Sequence, residues 1–289
     1  MQLLGAHISI AGGVQNAIER GERLGCTAIQ IFVKQPQKLF DKEPTEKNIA
    51  SWHKKLSESG IIETVIAHAG YLINLASPED EKWQAYTEAL IDEMARCDRL
   101  KIGNLVLHPG SPHDMGELWG IKRIARAIDR IYESGDFTVD IALETTAGTG
   151  NQIGSRFENF YDIFNRSKFP DKLRVCFDTC HVFTAGYKFT TPDDYTKMWR
   201  DFDETIGIEQ LAAMHLNDSK YPFDSHRDRH EHIGKGFMGN EPFRLIMQDE
   251  KLKSIPKIIE TPNEDDWDMK NLQLLWELSG EKPPVIYNR

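Results

Sequence analysis

DIALETT (residues 140–146) decides how this chain is read: an aliphatic run, Ile141-Ala142-Leu143, ends on a carboxylate, Glu144, just before a loop. Five further stretches have the same form. They are ETVIAHA (63–69) ending on His68, NLVLHPG (104–110) on His108, RVCFDTCH (174–181) on Asp178, LAAMHLND (211–218) on His215 and IPKIIETP (255–262) on Glu260. A lone histidine at a strand end is more often a hydrogen-bonded structural residue than a ligand, and a lone Asp or Glu is more often a helix cap or loop charge. Six successive strands ending on a ligand-type residue would be an improbable coincidence.

Working outward, strand-like segments are read at 3–9, 28–33, 63–69, 104–108, 139–144, 173–178, 211–216 and 255–260, with amphipathic segments between them. In residues 78–99, Trp83, Tyr86, Leu90, Met94 and Cys97 recur at helical spacing, and Ser77 is read as the N-cap with Pro78 as first helical residue. Continuous apolar strands alternating with helices imply a parallel sheet, and eight repeats imply a closed (β/α)8 TIM barrel. No linker or low-complexity stretch interrupts the 289 residues, so one domain spanning 1–289 is expected. Active sites in such barrels lie at the carboxyl ends of the strands, so the third to eighth strands would deliver their polar termini to one mouth.

Nine residues qualify as metal ligands: His68, His108, Glu144, Asp178, His181, His215, Asp228, His230 and Glu260. They are dispersed over most of the chain, whereas a structural zinc site has closely spaced ligands rich in cysteine. The pattern predicts a catalytic polynuclear centre assembled by the fold. His7, His53, His113, His226 and His232 are left outside it, with His7, at the end of the first strand, expected beside it. The four cysteines, Cys26, Cys97, Cys176 and Cys180, are too few for a secreted disulfide framework and are expected to be reduced. Cys176 and Cys180 flank Asp178 but are read as packing residues.

A formal charge of −10 argues against a generally basic nucleic-acid binder. Three divalent cations would bring it to −4, and against four carboxylate ligands they would leave the site itself positive, so a local anion-binding centre suits an acidic protein. The N-terminal MQLLGAHISIAGG lacks a basic segment followed by a long apolar one, and no run has the eighteen or so apolar residues of a membrane span; a cytoplasmic enzyme is expected.

GAHISIAGG (5–13), AHAGYLINLASP (67–78), LHPGS (107–111), LETTAGTGNQIG (143–154), FDTCHVFTAGY (177–187), MHLNDSK (214–220), RDRHEHIGKG (227–236) and IIETP (258–262) resemble the endonuclease IV family of apurinic/apyrimidinic (AP) endonucleases. The likeness runs from Gly5 to Pro262. It implies a DNA repair enzyme with three zinc ions per chain, with partial manganese substitution, acting as a monomer on double-stranded DNA, at the nucleoid if the source is prokaryotic. One zinc would be held by His68, His108 and Glu144, with Glu144 bridging to a second. The second would also take Asp178, His215 and Glu260, and the third His181, Asp228 and His230. Zinc lowers the pKa of water to about 7 and neutralises phosphate oxygens, the needs of phosphodiester hydrolysis. Incision 5′ to the abasic site would leave a 3′-hydroxyl and a 5′-deoxyribose phosphate, with removal of blocked 3′ ends as a second activity. Glu260 would orient or deprotonate the attacking water, and Glu144 would act as the bridging carboxylate.

Lesion recognition is assigned by the same resemblance to Tyr71 and Leu72, as wedges in the base stack. In VKQPQKLF (33–40) Gln37 stands where family members carry an arginine, with Lys34 and Lys38 nearby; Gln37 and Lys34 are taken as DNA contacts. Two other readings compete. A sugar isomerase or epimerase would use Glu144, Asp178, His215 and Glu260 around one or two ions, but leaves His68, His108, His181, Asp228 and His230 unexplained. A non-catalytic lesion binder would need the wedges without a full ligand set.

Overall fold

In the computed structural model, residues 1–262 and 265–284 are described; 263–264 and 285–289 of the expected domain lie outside them. Eight strands close a parallel barrel: β1 (Leu4–His7), β2 (Ala28–Phe32), β3 (Thr64–His68), β4 (Asn104–Leu107), β5 (Asp140–Glu144), β6 (Leu173–Asp178), β7 (Leu211–His215) and β10 (Lys257–Ile259). Each falls inside an expected segment. β8 (Asp218–Ser219) and β9 (His230–Glu231) pair antiparallel in the connection after β7.

The outer ring consists of α1 (Asn16–Arg23), α2 (Glu46–Glu58), α3 (Asp80–Leu100), α4 (Glu117–Ser134), α5 (Phe157–Phe164), α7 (Pro192–Thr205), α8 (Glu241–Gln248) and α9 (Trp267–Ser279). A short α6 (Thr179–Thr184) follows β6 directly. None of the described helices is long and apolar enough to cross a membrane.

The start of α3 corrects one expectation. Ser77 and Pro78 precede the helix, whose N-cap is Glu79 and whose first bond runs from Trp83 N–H to Glu79 O at 2.8 Å. Ser77 belongs instead to a buried turn, its N–H donating to Asn74 O and its carbonyl accepting from Arg123 Nε. The apolar stripe is as read: Trp83, Leu90, Met94 and Cys97 are buried against the barrel wall, with Tyr86 half-buried beside them.

Two apolar layers stabilise the fold. One lies between strands and helices. The other fills the barrel with Ala28, Ile66, Val106, Ala142, Cys176, Ala213 and Ile258. Side chains alternate along a strand, so the residue two positions further on from each of these also faces inward. Those residues are Gln30, His68, His108, Glu144, Asp178, His215 and Glu260. Every apolar plug is thus followed, one step nearer the mouth, by a polar side chain. At Gly5 a Cβ would run into the carbonyl oxygen of Ala28, so only glycine lets β1 approach β2 this closely.

Candidate metal centre

The stagger of the barrel sets which polar residues meet. Register pairs His68 with Val106 and Glu144 with Cys176, so the polar layer climbs between neighbouring strands. Between β6 and β7 the register shifts: Val175 pairs with Leu211 but Cys176 with Ala213, which leaves one extra residue on β7 and brings Asp178 level with His215. A bulge of this kind re-aims side chains near a site. His181 arrives on α6, whose N-cap is Asp178; the His181 N–H donates to Asp178 Oδ1 at 2.8 Å. Asp228 and His230 come from the connection that carries β8 and β9.

All nine expected ligands converge at the mouth. His68 Nε2 and His108 Nε2 lie 3.1 and 3.0 Å from Glu144 Oε2. His215 Nδ1 is 2.9 Å from Glu144 Oε1, 3.2 Å from Glu260 Oε2 and 3.8 Å from Asp178 Oδ2. His181 Nε2 is 3.1 Å, and His230 Nε2 3.6 Å, from Asp228 Oδ1. Three sets have donor atoms within 4.8 Å of one another: His68, His108 and Glu144; Glu144, Asp178, His215 and Glu260; and Asp178, His181 and His230. Asp178 therefore joins the third set as well as the second, its Oδ2 3.6 Å from His230 Nε2, and stands where Asp228 was expected; Asp228 is outside the three sets but lies against His181 and His230.

Hydrogen bonding shows what these atoms can hold. His68, His181 and His230 each turn Nδ1 toward a backbone carbonyl, of Ala69, Thr145 and Glu260, at 2.8, 2.8 and 3.0 Å. A carbonyl only accepts, so Nδ1 carries the proton and, in the neutral ring, Nε2 presents a lone pair to the mouth. His215 is arranged in reverse. Its Nε2–H donates to Gln30 Oε1 at 2.8 Å, leaving Nδ1 facing the carboxylates. Lone pairs directed at carboxylate oxygens repel unless a proton or a cation lies between them. Close as they lie to Asp228 Oδ1, the buried Nε2 atoms of His181 and His230 make no hydrogen bond of acceptable geometry among the described residues. Imidazole nitrogens of set tautomer, interleaved with carboxylates, form a donor set suited to divalent zinc.

The fields are correspondingly strong. Burial works to raise the Glu144 carboxyl, yet the charges of His108 and His215 hold it well below the usual range. Burial likewise opposes ionisation of His181, but Asp178 and Asp228 hold its imidazolium far above the ordinary value. Glu260 is depressed against its own burial by His215 and by the hydrogen bond from His7.

A second ring of residues escaped the sequence reading. Gln30, fully buried, donates from Nε2 to Glu260 Oε1 at 2.6 Å while accepting from His215. Asn217 donates to Asp178 Oδ2 at 2.7 Å and accepts from the Glu260 N–H at 2.7 Å. Thr145 Oγ1 accepts from the Asp178 N–H. A polar residue inside the apolar run AIQIF was the available signal for Gln30. His7 lies beside the site as expected, its Nδ1 3.0 Å from Glu260 Oε1. His53, His113, His226 and His232 take no part in the three sets, and Cys176 and Cys180 are buried free thiols, each pushed up to about 12 by burial.

A cleft of about 570 Å³ opens over the cluster, lined by His7, Phe32, His108 and Glu260 and by Tyr71 and Leu72. Tyr71 and Leu72 remain 67% and 45% exposed, large apolar surfaces without cover beside buried charge. Gln37 is exposed on the neighbouring loop. Lys34 is not: its ammonium is buried 2.7 Å from Glu93 Oε1, which corrects its expected role as a DNA contact. A shallower groove of about 310 Å³ runs from Asp228 past Gln152, Tyr221, Arg227 and Arg229.

Residues 18–278 match a family model described as a xylose isomerase-like TIM barrel. The protein named "Probable endonuclease 4" of Geobacter sulfurreducens is 46% identical over 278 residues, covering 95% of this chain and 94% of that one. The crystal structure of endonuclease IV from Thermus thermophilus superposes with a TM-score of 0.83 at 31% identity, covering 95% and 98% of the two chains. A D-tagatose 3-epimerase-like protein gives 0.73 at 20% identity over 96% and 97%, a likeness of fold alone. With near-complete coverage at this identity, the chain belongs to the endonuclease IV family.

Proposed function

We propose that the protein is a DNA repair endonuclease that hydrolyses the phosphodiester 5′ to an abasic site, leaving a 3′-hydroxyl and a 5′-deoxyribose phosphate. The observation that carries this reading is the convergence of nine His, Asp and Glu donors at the floor of one cleft whose walls include exposed Tyr71 and Leu72. Three zinc ions would be held as follows: one by His68, His108 and Glu144, one by Glu144, Asp178, His215 and Glu260, and one by His181, Asp228 and His230 with Asp178 adjacent. When bound, they supply Lewis acidity, activation of water and neutralisation of phosphate charge.

The chain's own residues then have separable tasks. Glu260, held on Oε1 by Gln30 and His7, keeps Oε2 toward the cluster, where it orients the attacking water and takes up its proton. Glu144 spans the first two donor sets and fixes their separation. Tyr71 and Leu72 enter the stack at the lesion, where unpairing costs least because a base is already missing. Arg227 and Arg229, unpaired with carboxylates among the described residues, offer the strand backbone cations on an otherwise acidic protein. The same centre would clear blocked 3′ ends.

The test is incision of a duplex bearing one abasic site, with elemental analysis of the purified protein. Close to three metals per chain, chiefly zinc, and activity abolished by prolonged chelation are expected. Incision in EDTA after verified metal removal would refute the mechanism.

A further inference from the structure

Lys34 and Glu93 form an ion pair in which both side chains are 1% exposed. Its position is informative. Lys34 lies two residues past β2, and its Nζ also donates to Lys38 O at 2.7 Å, within the loop that carries Gln37. Glu93 is on α3 and accepts the Gly70 N–H on both oxygens at 3.2 Å, at the root of the loop that carries Tyr71 and Leu72. The two loops then touch directly: the Tyr71 N–H donates to Pro36 O at 3.1 Å. A Cβ on Gly70 would stand 3.0 Å from Pro36 O and 3.4 Å from both charged groups, so glycine is what lets the loops close on the pair. One turn further along α3, the buried Arg96 guanidinium donates to Asp41 O and Lys42 O and holds the far end of the first loop.

A buried ion pair is weak evidence for stability, because its replacement by apolar residues of similar volume is often neutral or better. What it supplies is fixed geometry. A charged pair with directed backbone bonds on both loops admits one relative placement, and order established before binding need not be created during binding. We propose that Lys34 and Glu93 are positioning residues for substrate selection: they hold the Gln37 loop and the Tyr71–Leu72 loop in one preset arrangement, so that a duplex is probed by a rigid rim. The inference rests on the cleft being the DNA-repair site proposed above.

The experiment uses the zinc-loaded full-length protein and the double variant Lys34→Met/Glu93→Leu, which removes both charges at similar volume. Binding to matched abasic and intact duplexes is titrated, and KM and kcat are measured on the abasic one. The expected result is full zinc content, kcat at saturation within about twofold of the parent, and KM raised at least tenfold with a tenfold loss of abasic-over-intact discrimination. Wild-type discrimination in the double variant would overturn the proposal. So would a fall in kcat with unchanged KM, which would mean that the pair supports the barrel and not the rim. If the double variant fails to fold, Glu93→Gln, which keeps the shape and the acceptor for Gly70, carries the same test with a threefold threshold. A parent protein that does not incise abasic DNA at all would instead sink the function proposed for the cleft.

Discussion

Replacing Gln30 by methionine isolates what the surrounding shell contributes to the metal centre. The side chain is fully buried, and methionine preserves its length while deleting the amide. Three contacts are lost: the acceptor for His215 Nε2–H at 2.8 Å, the donor to Glu260 Oε1 at 2.6 Å and the 2.9 Å contact of the same amide nitrogen with His7 Nδ1. Glu260 retains His7 Nδ1 at 3.0 Å, whereas Gln30 Oε1 is the oxygen that accepts from His215 Nε2 among the described residues. The His215 contribution therefore dominates. Without it the imidazole can carry its proton on Nδ1, the atom that faces Glu144 and Glu260, and in that tautomer it is not a ligand. Outer-shell replacements of this kind typically cost 10- to 100-fold in metal affinity or activity, about 1.4–2.7 kcal/mol. The loss should be confined to one of the three proposed zinc sites, because His68, His108, His181 and His230 do not use Gln30. Competition of zinc against a chromogenic chelator should resolve one weakened site in three, with incision restored by excess zinc and the melting transition shifted by a few degrees at most. Three sites of parental affinity and a parental incision rate would refute the tautomer argument.

Three further outcomes are expected. Glu260→Gln, in metal-replete protein, should lower turnover at least about a hundredfold, the lower end of the general-base range, with abasic duplex still bound; near-parental cutting would remove Glu260 from its assigned role. Gln37→Arg should tighten binding and steepen its salt dependence by roughly 0.9 in the log–log slope for one added phosphate contact, with turnover at saturation little changed, as read from titrations at several salt concentrations. Tyr71→Ala should weaken abasic-over-intact discrimination without altering the salt slope, since a wedge is lost and not a charge; if neither loop variant has any effect, the rim does not face DNA.

Lys34 shows where reading along the chain loses its hold. A lysine beside a glutamine in a loop of a DNA enzyme reads as a phosphate contact, and nothing local distinguishes it from Lys38, which is exposed and paired with Asp41. Its partner Glu93 is distant in sequence, on the third helix, so its burial is invisible before the loops are folded onto α3. Ser77 failed for a related reason: the Ser-Pro pair looks like a helix start, but the serine is bonded into a turn with Asn74 and Arg123. Gln30 was passed over because glutamine is not a usual metal ligand, although a polar residue inside an apolar strand was itself the signal.

Composition and order along the chain were enough to determine the barrel and its working end, because strand alternation has a period of two and every inward apolar residue from Ile66 to Ile258 is followed two positions later by a ligand-type side chain. That rule is local, so it survives without coordinates. Which donors share an ion is not local. It depends on the stagger of the closed barrel, on the register shift that sets Asp178 level with His215, and on α6 and the β8–β9 connection carrying His181, Asp228 and His230 over the mouth. Tautomers depend on carbonyls and amides reached across the fold, from Thr145 to His181 and from Gln30 to His215. Distances between strands and the partners of buried charges come only from closure of the chain on itself, and there the tertiary structure decided.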